Sequence, residues 1–146
     1  MKALGRVSQE CIDLVKFYEG FEDRAYLCPA GVWTIGYGRT KKVQEGDMLT
    51  EPQAERDLLE ELDEFAEQVL NTVKINLEQN ELDALTSWTY NLGVGNLRSS
   101  TLLKKLNSGD KNSVPFEMKR WNKAAGKVLN GLTKRRKAEA ELWVKV

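Results

Sequence analysis

Glu19-Gly20-Phe21 opens, and Gly31-Val32-Trp33-Thr34-Ile35-Gly36-Tyr37-Gly38 closes, the stretch on which the reading of this chain turns. Upstream lies Ser8-Gln9-Glu10-Cys11-Ile12, a helix start, with Cys11, Leu14, Val15 and Tyr18 at helical spacing on one face. That first helix ends near Gly20. Residues 23–46 hold four of the eleven glycines, together with Pro29, and place Tyr26, Leu27, Val32, Trp33, Ile35 and Tyr37 at strand positions, so they predict a small antiparallel sheet with tight turns. A carboxylate leaving an apolar segment, as Glu19 does, is expected to be desolvated and shifted upward, which suits a proton donor near neutral pH. Cys28 follows nine residues later and Thr34 six after that.

Downstream, Thr50-Glu51-Pro52-Gln53 pairs a capping threonine with a glutamine three residues on and puts proline in the first turn. Ala54, Leu58, Leu62, Phe65, Ala66 and Val69 continue at helical spacing to about Asn71, a helix of about 30 Å that can link two lobes. From Leu77 onward the pattern reads as helical throughout, broken at Gly93, Gly95, Gly109, Pro115 and between Gly126 and Gly131. Its apolar stripes are Leu82, Leu85, Trp88 and Thr89, then Leu102, Leu103 and Leu106, then Ala138, Leu142 and Trp143. The expected fold class is therefore α+β: a two-lobed, single-domain chain over residues 1–146. A β-containing lobe at about 13–55 is joined by a long helix to a helical lobe made of 56–146 plus the N-terminal helix. A cleft between the lobes is the expected ligand site.

Composition narrows the chemistry. The 146 residues contain no histidine and only Cys11 and Cys28, which removes serine–histidine hydrolases and histidine-ligated metal centres; no cofactor and no metal are expected. No run approaches the roughly 18 apolar residues of a membrane span, and Met1-Lys2-Ala3-Leu4-Gly5-Arg6 lacks the apolar centre of a signal peptide. The expected place of synthesis is the cytoplasm. Formal net charge is +0, but residues 44–83 carry 13 acidic and 2 basic groups, while residues 98–146 carry 13 basic and 4 acidic. Two readings stay open: a cationic surface for an anionic partner, or helix faces that neutralise one another.

Glu19, Cys28, Thr34 and the run from Gly31 to Gly38 are one part of a wider pattern. With Asn91-Leu92-Gly93, Ser100-Thr101-Leu102-Leu103, Gly131-Leu132 and Arg135-Arg136-Lys137-Ala138-Glu139, the chain resembles the phage-type lysozymes, endolysins of the T-even phage lysozyme-like glycoside hydrolase family 24. The resemblance runs in order from about Ser8 to Trp143. It implies a lysozyme-like fold and a muramidase that hydrolyses the β-1,4 bond between N-acetylmuramic acid and N-acetylglucosamine in bacterial peptidoglycan. On this reading the chain is a monomer without stable membrane insertion or nucleic-acid partner. It is made in the host cytoplasm and acts on the wall once the membrane is permeabilised.

By the same resemblance Glu19 is the general acid, and Cys28 and Thr34 hold the attacking water. Cys28 stands where an aspartate is commoner, so retention through a thiolate nucleophile stays open beside inversion, as does a packing role for a small buried thiol. Arg24 is the cation nearest in sequence that could lower that thiol. The implied substrate-binding residues are Gly38, Thr40, Tyr90, Asn91, Ser100, Thr101, Arg135 and Arg136, one of the two arginines standing beside Glu19. Ser100 and Thr101 read equally well as helix caps, and Trp88 as core. Arg39 occupies a position where relatives often carry histidine, so a histidine–carboxylate pair is not expected here. Cys11, some 12 Å along the helix from Glu19, is expected to be a buried thiol rather than a disulfide partner of Cys28. A wall-binding protein that kept the fold and lost catalysis is the alternative, and a nucleic-acid binder using Lys134 to Lys137 is a weaker one.

Overall fold

The computed structural model describes residues 5–145. Met1 to Leu4, most of the segment read above against a signal peptide, lie outside the described residues. Helix α1 (Gln9–Glu19) leads into a β-ribbon of β1 (Glu22–Leu27) and β2 (Trp33–Gly36), then the long α2 (Glu51–Thr72) and the central α3 (Gln79–Leu92). Short helices α4 (Val94–Ser99), α5 (Thr101–Asn107) and α6 (Val114–Lys119) follow, then a hairpin β3 (Lys123–Ala124) and β4 (Lys127–Val128), and α7 (Asn130–Val144).

The expected first helix forms between Ser8 and Gly20, but its N-cap differs. Ser8 makes no side-chain cap bond; its N–H donates to Asp83 Oδ1 at 2.8 Å and its hydroxyl to Asp83 Oδ2. A buried carboxylate on α3 outcompetes the local helix end, because ionised acceptors make the stronger bonds. The α2 start follows the sequence: Thr50 Oγ1 accepts from Gln53 N at 3.3 Å, and Gln53 Oε1 accepts from Thr50 N at 3.1 Å.

Helix α2 belongs to both cores. Its first half gives Ala54, Leu58 and Leu62 to a small cluster with Cys11, Ile12, Val15 and Tyr37. Its second half gives Ala66 and Val69 to the larger cluster around Leu82, Leu85, Trp88, Leu97, Leu102, Leu106, Met118 and Trp143. Helix α3 is buried on every side from Glu81 to Thr89, the mark of a helix at the centre of a bundle. Trp88 is fully buried, its ring edge-on to Trp121, so it is core as the sequence implies.

Two features depart from expectation. The β1–β2 pair is a two-stranded antiparallel ribbon with an irregularity between Glu22 and Tyr26, and Val32 and Tyr37 fall outside its strands. In this part of the chain the helical pattern is expected to break only between Gly126 and Gly131, but residues 123–128 form a hairpin in which Ala124 pairs with Lys127. Its two turn residues, Ala125 and Gly126, both take positive φ (+52° and +78°), the primed turn that matches strand twist. Without an Asn-Gly or Asp-Gly pair, that turn leaves little trace in sequence. No helix among the described residues is long and apolar enough to cross a membrane.

Candidate active site

Glu19 is the last residue of α1, and Gly20, at φ +71°, turns the chain into the ribbon while its N–H caps Lys16 O. The Glu19 side chain keeps 19% exposure. Its two oxygens meet different surroundings. Oε2 accepts from Arg135 Nη1 at 2.7 Å. Oε1 lies against the Cα of Gly38, where a Cβ would come within 2.6 Å of it, and Gly38 itself stands at φ +85°. Only glycine combines that backbone with that approach.

The arginine that meets Glu19 is thus Arg135, and three elements hold its guanidinium. Besides Glu19 on α1, Nε donates to Glu139 Oε2 at 3.2 Å within α7, and Nη2 donates to Ser87 O on α3 at 3.3 Å. The Tyr18 ring lies 6.0 Å from the guanidinium carbon, within cation–π range. Arg136, one residue on, points elsewhere: it is fully buried, contacts Glu139 Oε1 at 3.1 Å and donates to Asn91 Oδ1. Arg136 does not reach the cleft surface, and the Asn91 carbonyl is already engaged.

Across the site, residues 28–31 form a turn closed by Gly31 N donating to Cys28 O at 2.8 Å, with Cys28 N donating to Val32 O at 3.0 Å. The half-buried Cys28 thiol is held below its ordinary value, first by the Val32 backbone N–H, then by the Ala30 N–H and the Thr34 hydroxyl. The lowering therefore comes from hydrogen-bond donors of the turn. Arg24, the cation suggested by sequence, takes no part; its backbone bridges to Met48. Thr34 is buried and its hydroxyl also reaches Val32 O at 3.0 Å, so its single proton serves either the carbonyl or the sulfur. Cys11 is a fully buried free thiol, pushed up by burial and then by Asp83 and Glu139.

Gly38, Thr40 and Tyr90 line one depression of about 240 Å³ with Lys41, Glu61, Glu64 and Phe65. Tyr90 donates its hydroxyl to Tyr37 O at 2.9 Å and stands edge-on to Phe65, tying α3 to the ribbon lobe. Arg39 faces α2, with Nη1 3.3 Å from Glu61 Oε1 and 3.6 Å from Asp57 Oδ1. A cation–carboxylate contact therefore exists at this place with arginine as the cation. Burial pushes the Glu61 carboxyl up, against the pull of Arg39.

Ser100 and Thr101 are not among those lining residues; they border a separate depression with Glu117, Arg120 and Trp121. The Ser100 hydroxyl caps α5, accepting from Leu103 N at 3.0 Å and donating to Leu97 O at 2.7 Å, so the cap reading describes it. The basic C-terminal third is partly neutralised inside the molecule. Lys105 and Arg120 pair with Glu117, Lys111 with Glu81, and Lys145 with Glu10.

Three residues of the site were not singled out in the sequence. Tyr26 pairs with Thr34 across the ribbon, and the charges of both Glu19 and Cys28 act on its hydroxyl. Its place two residues before Cys28, near the end of the strand that leads into the turn, was the available signal. Glu139 stands four residues after Arg135 and three after Arg136, the spacing of helical ion pairs. Ser87 gave no signal, being one of three small polar residues, with Thr86 and Thr89, in the same stretch of helix.

Residues 16–139 match the family described as phage lysozyme. An endolysin of Acyrthosiphon pisum secondary endosymbiont phage 1 is 42% identical over 141 residues, covering 94% of this chain and 97% of the relative. Among solved structures, the endolysin from Escherichia coli O157:H7 phage FAHEc1 superposes with a TM-score of 0.85 at 38% identity, over 99% of this chain and 96% of that one. The muramidase domain of SpmX from Asticaccaulis excentricus gives 0.90 at 32% identity, over 97% and 99%.

Proposed function

The chain belongs to the phage lysozyme family, and from that membership we propose a muramidase that cleaves the β-1,4 bond between N-acetylmuramic acid and N-acetylglucosamine, with Glu19 as the general acid. The observation that carries the reading is the asymmetry of the Glu19 carboxyl. Arg135 occupies Oε2, so a proton on this group resides on Oε1, beside the bare Cα of Gly38 where a glycosidic oxygen can approach. Proton delivery to that oxygen lets the sugar leave as the anomeric carbon takes on oxocarbenium character.

Cys28 and Thr34 are assigned to the water that attacks the anomeric carbon. The Cys28 thiol, held below its ordinary value, serves this step after losing its proton to solvent: its sulfur accepts the hydrogen bond of the water and takes the water's proton as the new C–O bond forms, and the Thr34 hydroxyl oxygen offers a second acceptor. This division of labour makes the reaction inverting. Gly38, Thr40 and Tyr90 contribute the sugar-binding wall, an aromatic and polar surface suited to the apolar faces and hydroxyl rims of sugars. The substrate is bacterial wall glycan, reached from the host cytoplasm once the membrane is permeabilised.

The test is Glu19→Gln assayed on a turbid peptidoglycan suspension, with proton NMR of the first-formed anomer from the wild type. Loss of clearing by about 10³-fold or more in a folded variant is expected, general acid catalysis and its oriented partner together being of that size. Clearing by the variant at wild-type rate would remove Glu19 from the role. A retained anomer would instead make Cys28 the nucleophile.

A further inference from the structure

Behind the proposed proton donor lies a buried polar cluster that the reaction as described does not use. Glu139 is fully buried and takes two donors on Oε2, the Ser87 hydroxyl at 2.6 Å and Arg135 Nε at 3.2 Å, while Arg136 Nη1 stands 3.1 Å from Oε1 as an ion-pair contact without hydrogen-bond geometry. Ser87 supplies both its hydroxyl to Glu139 and its carbonyl to Arg135 Nη2. The Arg135 guanidinium is therefore held along two directions, and the one left for the reaction points Nη1 at Glu19.

A charge so deeply buried is a poor device for stability alone, since a well-packed apolar substitute often does as well or better. Its geometry suits another task. An arginine beside a proton donor must orient the carboxyl without holding it permanently ionised, because a close cation favours the charged form. Sharing the guanidinium with a second carboxylate meets both requirements. Burial pushes the Glu139 carboxyl up, and Arg136, then Arg135 and the Ser87 hydroxyl, pull against that shift without cancelling it.

We propose that Glu139, anchored by Ser87, is a positioning residue for the reaction: it fixes the Arg135 guanidinium and divides its charge between the buried carboxylate and Glu19. The inference rests on the reading of Glu19 as the acid. The groups that act on Glu19 are Arg135 and Arg136 from α7, Tyr90 from α3 and Tyr26 from β1. Those facing Glu139 are Arg135 and Arg136 from its own helix, Ser87 from α3 and Cys11 from α1.

The experiment is Glu139→Gln, which keeps shape and removes the charge, with kcat, KM and the pH profile of kcat/KM measured on peptidoglycan fragments. With Glu139 neutral, Arg135 acts undivided on Glu19. The alkaline limb of the profile should then move to lower pH by about half a unit or more, kcat should fall about tenfold, and KM should stay within about twofold. A folded variant with the wild-type limb and kcat overturns the proposal and leaves Glu139 a packing group. Should Glu139→Gln fail to fold, Ser87→Ala removes only the hydroxyl donor and leaves the carbonyl for Arg135. A smaller shift in the same direction supports the proposal, and an unchanged profile overturns it. An active Glu19→Gln variant would instead defeat the underlying reading, and the proposal with it.

Discussion

Gly38→Ala isolates the geometry of the proposed acid from the stability of the fold. The new methyl carbon would stand 2.6 Å from Glu19 Oε1, 3.1 Å from Cδ and 3.7 Å from Cγ, with the backbone at φ +85°. Left-handed backbone at a non-glycine residue costs about 1–2 kcal/mol, which for a chain of this size lowers Tm by roughly 2–8 °C. The contact costs less in stability than in function, because the atom struck is the end of a rotatable side chain. To restore an ordinary separation of about 3.3 Å the carboxyl must retreat by about 0.7 Å, pulling Oε2 off its 2.7 Å contact with Arg135. Misplacement on that scale is expected to lower kcat/KM by about 30- to 100-fold. Gly36→Ala is the matched control. It too stands at positive φ (+64°), but its Cβ would meet Ala54 and Leu49 at 3.2 Å and not the Glu19 carboxyl. Circular-dichroism melting and peptidoglycan clearing, corrected for the folded fraction, separate the two. Equal specific activity of the folded Gly38→Ala and Gly36→Ala proteins would refute the placement of Oε1 against Gly38.

Other consequences are open to simpler measurements. Cys28 should react with iodoacetamide near neutral pH in the folded protein, while Cys11 should stay unmodified until the chain unfolds; peptide mass spectrometry reads both, and equal rates would contradict the contrast in burial and thiol acidity. Ser100→Ala should cost about 1 kcal/mol in urea unfolding through the lost cap, with specific activity unchanged, so a large loss of activity would return Ser100 to the sugar-binding set. Arg39→Ala should destabilise by about 1–3 kcal/mol at pH 7 and by less near pH 4. The sign follows from Glu61, whose folded carboxyl is already raised by burial: it contributes stability at low pH and loses it as pH rises through its folded value, and losing Arg39 deepens that loss. Equal destabilisation at the two pH values would show that Glu61 is not the group involved. Wall binding through the unpaired part of the basic C-terminal third should weaken with added salt, and a salt-insensitive sedimentation assay would argue against it.

Much of this fold is legible because its signals are local. The Thr50/Gln53 cap, the 3–4 spacing of Ala54, Leu58, Leu62, Ala66 and Val69, and Gly20 after Glu19 each involve neighbours within one or two turns, where backbone geometry fixes what can meet. The hairpin at 123–128 escaped because a two-residue strand is too short to show alternation. Within the site, the resemblance supplied Glu19, Cys28 and Thr34. What lowers the thiol was assigned to the wrong kind of group: Arg24 is close in sequence, but a turn aims N–H groups at the sulfur instead.

The sequence by itself determined the order and limits of most helices, the apolar stripes and the absence of histidine chemistry, since these depend on residue type and spacing along the chain. Only the tertiary structure decided which arginine serves Glu19. Arg135 and Arg136 are adjacent and chemically identical, but successive helical residues point about 100° apart, so the docking of α7 against α3 and α1 turns one toward the carboxylate and buries the other against Asn91. The same docking brings Ser87, Glu139 and Glu19, distant in sequence, around a single guanidinium.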